Sequence, residues 1–167
     1  MADHAAWAVG YARQAQADFQ TFEKLQVMPV PECHKLQFLQ MACEKLVKAH
    51  LCSEKADPSD LQTSHAYVAG TLPVVLRQQA AFINYSGAAA RKTLQRAKLL
   101  SSEIDVLAPS VTRDGRRPDN CEYPWEDAGA ELHVPLDWTF TPSELLLQHA
   151  GRTALKLILG AIVRLVE

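Results

Sequence analysis

The sequence predicts an all-α protein: an up-down bundle of four core helices plus one or two more, with a long proline-rich loop before the C-terminal helix. Three observations lead there. Apolar residues recur at three-to-four spacing through most of the chain, the period of a helix that buries one face. Alanine and leucine are abundant and aromatics make up only 7% of residues, a balance that favours helix over sheet. Five of the nine prolines fall between positions 109 and 142, so the helical pattern is interrupted late and over one stretch. A chain of 167 residues can bury a proper core. Residues 1–167 therefore read as one domain with an irregular loop at about 109–141.

Residues 4–26 form the first expected helix, because Trp7, Tyr11, Ala15, Phe19, Phe22 and Leu25 share one face. Pro29 and Pro31 punctuate the chain, and Pro31 suits the start of a helix, where its missing N–H costs nothing. The second helix runs from about Glu32 to Lys55, with Leu36, Leu39, Cys43, Leu46, Val47 and His50 as its stripe. Phe38 and Met41 widen that stripe, so this helix touches neighbours on two sides. Glu44 and Lys48 stand in the favourable order for a surface ion pair. Asp57-Pro58-Ser59-Asp60 starts a short helix with Ser59 as N-cap, carrying Leu61, His65 and Val68 and ending at Gly70. A break near Gly70–Pro73 precedes the next helix, through Val75, Leu76, Gln79, Phe82 and Ile83. Ser86-Gly87 turns the chain into a helix over 88–108, with Leu94, Ala97, Leu100, Ile104 and Leu107 inward.

Between Pro109 and Thr141 no apolar period is visible, yet Cys121, Tyr123, Trp125, Trp138 and Phe140 can anchor the segment to the bundle. A short hairpin around Ala128-Gly129-Ala130, pairing 125–127 with 131–134, fits the pattern. Thr141-Pro142-Ser143-Glu144 reads as a capping box that opens a last helix running nearly to Glu167. From Leu155 onward that helix is apolar on almost all sides, which places it at the bundle centre or in an oligomer interface.

The formal charge of −2 forces neither a nucleic-acid nor an anionic-membrane partner. The N-terminus has no signal-peptide pattern, and Leu155–Val166 is too short for a span and carries Lys156 and Arg164. The expectation is a cytoplasmic protein with no membrane partner. Cys33, Cys43, Cys52 and Cys121 include no Cys-x-x-Cys pair and read as reduced thiols. Cys33-His34 and His50 with Cys52 lie at opposite ends of one helix, roughly 25 Å apart at 1.5 Å per residue, so they cannot share a zinc ion. No metal and no cofactor is expected.

Over roughly residues 1–108 the pattern resembles the HEPN family, small helical bundles of prokaryotic toxin–antitoxin, defence and nucleotidyltransferase-linked systems. The resemblance rests on Arg13, Ala15, Asp18 and Leu25 of the first helix and on the run Gln40-Met41-Ala42-Cys43-Glu44-Lys45-Leu46-Val47-Lys48-Ala49. It extends to His65 just inside the third helix and to the Tyr123-Pro124 pair. Ribonuclease members carry an arginine followed after four to six residues by a histidine. Here no arginine has a histidine in that window, and Arg152 follows His149 in reverse order. The resemblance therefore implies a non-catalytic binding and assembly module, acting as a homodimer or with a protein partner of nucleotidyltransferase or effector type. Its ligand would be RNA or a nucleotide.

Two alternatives stay open. One is a metal-independent endoribonuclease whose non-standard site uses His50, His65 and loop arginines, with Glu44 completing an acid–base group. The other is a nucleotide sensor built on the loop at 113–127. There Arg113, Arg116 and Arg117 suit phosphate, Tyr123 and Trp125 suit base stacking, and Glu122 suits a sugar hydroxyl. The competing reading of that loop is a flap whose aromatics plug the bundle. Arg91, Lys92, Arg96 and Lys98 make one helix basic and read as a solvated face.

Overall fold

In a computed structural model, residues 3–63, 65, 67–109 and 120–167 are described. Among them lie seven α-helices: α1 (His4–Gln26), α2 (Glu32–Ser53), α3 (Pro58–Thr63), α4 (Val68–Phe82), α5 (Gly87–Asp105), α6 (Thr141–Leu147) and α7 (His149–Val166). A two-stranded hairpin, β1 (Trp125–Glu126) and β2 (Leu132–His133), precedes a 3-10 turn at Pro135–Asp137. No helix of the described residues is long and apolar enough to cross a membrane.

The bundle forms because five helices bring apolar stripes to one core. Phe19 and Phe22 of α1 meet Leu36, Leu39, Leu46 and Val47 of α2, Leu72 and Leu76 of α4, Leu100 and Ile104 of α5, and Leu157, Ile158 and Ile162 of α7. Leu36, Leu39 and Leu46 have no exposed surface. Truncating any one of them to alanine would cost about 2–5 kcal/mol. Helices α2 and α7 each pack against five other helices, and α2 is the more deeply buried of the two. Helix α7 buries the face carrying Ala154, Leu157, Ile158, Ala161 and Ile162, while Leu155, Leu159 and Leu165 are only partly covered.

Several helix ends differ from expectation, each for a local reason. The cap of α3 is Asp57, whose carboxylate accepts from the Ser59 amide at 2.9 Å and the Ser59 hydroxyl at 2.7 Å. Helix α3 stops at Thr63, so His65 lies in the connection to α4 rather than inside a helix. No break occurs at Gly70–Pro73. The amide of Val68, first in α4, donates to the buried Asp105 carboxylate at 2.9 Å, a cap supplied by the end of α5. With its start held there, α4 runs through Pro73, and the burial of Leu72, Val75 and Leu76 outweighs the lost backbone bond.

The last helix is two helices. Gln148 is extended (ψ 153°) between α6 and α7. The capping box is not formed: Phe140 occupies the N-cap position without a side-chain bond, and the Ser143 hydroxyl instead donates to Glu32 of α2 at 2.9 Å. At Gly151 a Cβ would lie 2.1 Å from the Leu145 carbonyl oxygen, so only glycine lets α7 start this close to α6.

The proline-rich segment is a strap with specific anchors. Cys121 is buried and its amide donates to the Leu107 carbonyl at 3.2 Å. The expected hairpin is present, with Trp125 opposite His133 and Glu126 opposite Leu132. Its turn is built by Asp127, which accepts from the amides of Gly129 (2.8 Å) and Glu131 (3.0 Å). Trp125 and Trp138 meet edge to face at 5.3 Å, and His133 lies 4.8 Å from Trp138. Phe140 is completely buried in the main core.

Gly151→Ala should therefore destabilise the protein by about 3 kcal/mol, the upper end of the overpacking range, because backbone blocks the new methyl. Gly10→Ala, where nothing lies within 4 Å, should instead stabilise it by about 0.5–1 kcal/mol. Urea titration of both variants checks the pair; a neutral Gly151→Ala would show that the α6–α7 junction is not this tight.

Candidate functional site

The polar residues of α2 are not a solvated surface stripe. Gln40, Glu44 and Lys48 recur every four residues and so lie on one face, and all three are buried. The Glu44 carboxylate accepts from Gln40 Nε2 at 3.0 Å and Lys48 Nζ at 2.7 Å. The third partner is His65 Nδ1, at 3.0 Å, arriving from the α3–α4 connection. Beside this cluster Lys45 Nζ donates to Asp18 of α1 at 2.6 Å, and Gln14 donates to the other Asp18 oxygen at 3.3 Å. The surface pair expected of Glu44 and Lys48 is thus an interior pair. It is buried because α2 has neighbours on this side as well as on its apolar side.

A groove of about 510 Å3 opens over the cluster. Gln40, Glu44, Lys45 and His65 form one side, and Glu122 and Tyr123 of the strap form the other. Asn120 holds that corner of the strap by accepting from the amides of Glu122 (2.9 Å) and Tyr123 (2.8 Å). Tyr123 is 54% exposed at the rim.

Electrostatics assign different tasks to the two central groups. Burial pushes the Glu44 carboxyl up, but hydrogen bonds from Lys48, His65 and Gln40, with the Lys48 charge, hold it below the usual carboxylate range overall. Glu44 is therefore ionised at neutral pH and poorly suited to accept a proton. An ionised carboxylate only accepts hydrogen bonds, so the neutral His65 ring must carry its proton on Nδ1. Nε2 is then the acceptor, on a side chain 45% exposed at the groove. A carboxylate that fixes tautomer and ring orientation is the arrangement that prepares a histidine for hydrogen bonding or proton transfer.

The structure brings together part of the sequence-predicted set. His65, Glu122 and Tyr123 meet at the groove. His50 does not join them. It is buried, burial holds its imidazole below its ordinary value, and the charges it senses are Glu54 and Arg164. Trp125 is only 8% exposed and packs edge to face on Trp138 and tilted against His133, so its ring is taken up by the strap's own packing. Arg113, Arg116 and Arg117 lie outside the described residues. Asp18 and Gln40 were not singled out as site residues. The repeat of polar residues at 40, 44 and 48 was the available signal for Gln40, whereas Asp18 reaches the site only through the α1–α2 packing.

All four cysteines are buried and unbridged, and burial pushes the Cys43 thiol up to about 12. Asp127, Glu131 and His133 offer ligand atoms within 4.8 Å of one another. The Asp127 carboxylate already serves the hairpin turn, and it also meets His133 Nε2 at 3.2 Å. That cluster is accounted for by the turn. Comparison with protein-family models, with curated proteins and with solved structures finds no match.

Glu44→Gln should leave the Lys48 ammonium buried without a counter-charge and cost about 3 kcal/mol at neutral pH. The folded carboxyl lies below its unfolded value of 4.5, so the wild-type advantage is fully present above pH 4.5. It is lost as the pH falls through the folded value. Urea titrations at several pH values should thus show the gap between wild type and Glu44→Gln narrowing from pH 7 toward pH 3. A constant gap would mean that the charge of Glu44 is not what the fold uses.

Proposed function

We propose that the chain is a HEPN-like binding module and that the groove over Glu44 and His65 takes a nucleotide-sized ligand. The observation that carries this reading is Tyr123, held half-exposed on the rim opposite a histidine whose ring is fixed by a buried carboxylate. A volume of about 510 Å3 falls within the roughly 300–1,000 Å3 of small-molecule sites. An aromatic face on one wall and His65 and Lys45 on the other suit a ligand with a stacking base and a phosphate. Glu122 suits a sugar hydroxyl. In this reading the module works with a partner of effector or nucleotidyltransferase type, or as a homodimer, in a defence or toxin–antitoxin system. The ligand reports to that partner.

A second reading is favoured by one feature. The Glu44–His65 pair resembles the carboxylate–imidazole unit of general acid–base catalysts, and an RNA 2′-hydroxyl is a substrate such a histidine could deprotonate. The absent Arg-to-His spacing argues against the ribonuclease chemistry usual in the family.

Calorimetric titration with adenosine monophosphate separates the two readings. Binding should weaken roughly 5- to 100-fold in Tyr123→Ala, the scale of one lost stacking contact, and His65→Ala should weaken it too, with no RNA cleaved by the wild type. Affinity unchanged in Tyr123→Ala, or no binding up to millimolar ligand, would contradict the binding reading. Cleavage of single-stranded RNA that disappears in His65→Ala would replace it with the catalytic one.

A further inference from the structure

A second cavity, sharing no lining residue with the groove, lies where α5 passes the α6–α7 junction. It holds about 240 Å3 and is lined by Lys92, Thr93 and Arg96 of α5, Tyr85 before it, and His149 and Ala150 at the start of α7. No carboxylate lines it. Lys92 and Arg96 stand one helical turn apart, so both point to the same side, and neither makes an ion pair among the described residues. Thr93 is buried, and its hydroxyl lies 3.0 Å from the Tyr85 hydroxyl, a pair that shares one hydrogen bond and keeps a second proton to offer.

The start of α7 also lines the cavity. Helix α7 is 18 residues long, and its N-cap residue Gln148 makes no side-chain cap bond. The first amides of a helix have no partner within it, and those of His149 and Ala150 donate to nothing else among the described residues. The lining residues thus carry donors of three kinds: two unpaired cations, a hydroxyl pair and amides at the positive end of a helix. Two cations with no carboxylate beside them favour an anion. A cavity of about 240 Å3 is below the roughly 300 Å3 at which sites for drug-sized molecules begin, which selects a small oxyanion over a whole nucleotide.

We infer that this cavity is a binding site for a phosphate group, held by Lys92, Arg96, the Tyr85–Thr93 hydroxyls and the first amides of α7. The basic run of α5 is then divided in its roles. Lys92 and Arg96 face the ligand, while Arg91 and Lys98 are exposed and do not line the cavity. The site also gives α7 an occupant at its start, so binding there would stabilise the α5–α7 contact. The phosphate can be inorganic or the end of a phosphomonoester, since only the phosphate chemistry is specified by these donors.

Calorimetric titration of the full chain at pH 7 and constant ionic strength tests this, with inorganic phosphate in one arm and glycerol 3-phosphate in the other. Saturable binding is expected in at least one arm. Lys92→Gln with Arg96→Gln should weaken it about tenfold or more, the effect of losing charge-assisted hydrogen bonds. Both side chains are exposed, so this variant keeps the core intact. Ala89→Glu, which adds a carboxylate at another exposed lining position, should weaken binding as well. Tyr123→Ala should leave it unchanged, which keeps this site separate from the groove. Tighter binding of glycerol 3-phosphate would identify an esterified phosphate as the ligand, and equal or tighter binding of inorganic phosphate would identify the free ion. A linear, non-saturating response in both arms, or equal affinity in wild type and the Lys92/Arg96 variant, would overturn the inference.

Discussion

A carboxylate buried in the middle of the longest-packed helix pair constrains the rest of this molecule. Removing an ion of that size from water costs several kcal/mol unless the interior replaces the lost hydration. Glu44 meets that demand with three donors drawn from two sources. Gln40 and Lys48 come from its own helix, one turn before and one turn after, and His65 comes from the α3–α4 connection. The first two are local and follow from the i,i+4 geometry of any helix. The third is not, and it ties the position of the α3–α4 connection to the face of α2. Lys45 and Asp18 make a parallel tie between α2 and α1.

Around that centre, the irregular strap has a structural logic of its own. It is pinned by Cys121 to the end of α5, by Trp125 on Trp138, and by Phe140 in the core. With those points held, Asn120 turns the chain so that Glu122 and Tyr123 reach the Glu44–His65 face. The groove is therefore made from residues nearly 80 positions apart in sequence, one wall a rigid helix and the other a tethered loop. Binding chemistry commonly sits on such loops because the scaffold supplies the rigidity they lack.

Much of the fold was legible in the sequence. The apolar stripes of α1, α2 and α5 and the hairpin turn at 127–131 follow from periodicity and turn chemistry. Two of the misplaced ends are set by contacts that are tertiary or backbone in origin. The start of α4 depends on Asp105, distant in sequence, and the α6–α7 break depends on the close approach at Gly151. Neither leaves a local mark. The site was half legible for the same reason. Glu44, Lys48 and His65 stood out by type and spacing, but whether Glu44 and Lys48 were buried depended on what packed over them. Tyr123 and Trp125 look alike as stacking residues, and the placement of Trp138 and His133 buries Trp125 while Tyr123 stays half-exposed.

The central claim is that the Glu44 carboxylate fixes His65 with its proton on Nδ1 and Nε2 facing the groove. Long-range proton–nitrogen NMR correlation of the histidine rings, at a pH where His65 is neutral, reads the tautomer directly. The expected spectrum shows a protonated Nδ1 and an unprotonated Nε2 for His65 in the wild type, with the Nε2–H form gaining in Glu44→Gln. A wild-type His65 protonated on Nε2, or a tautomer indifferent to Glu44→Gln, would contradict it.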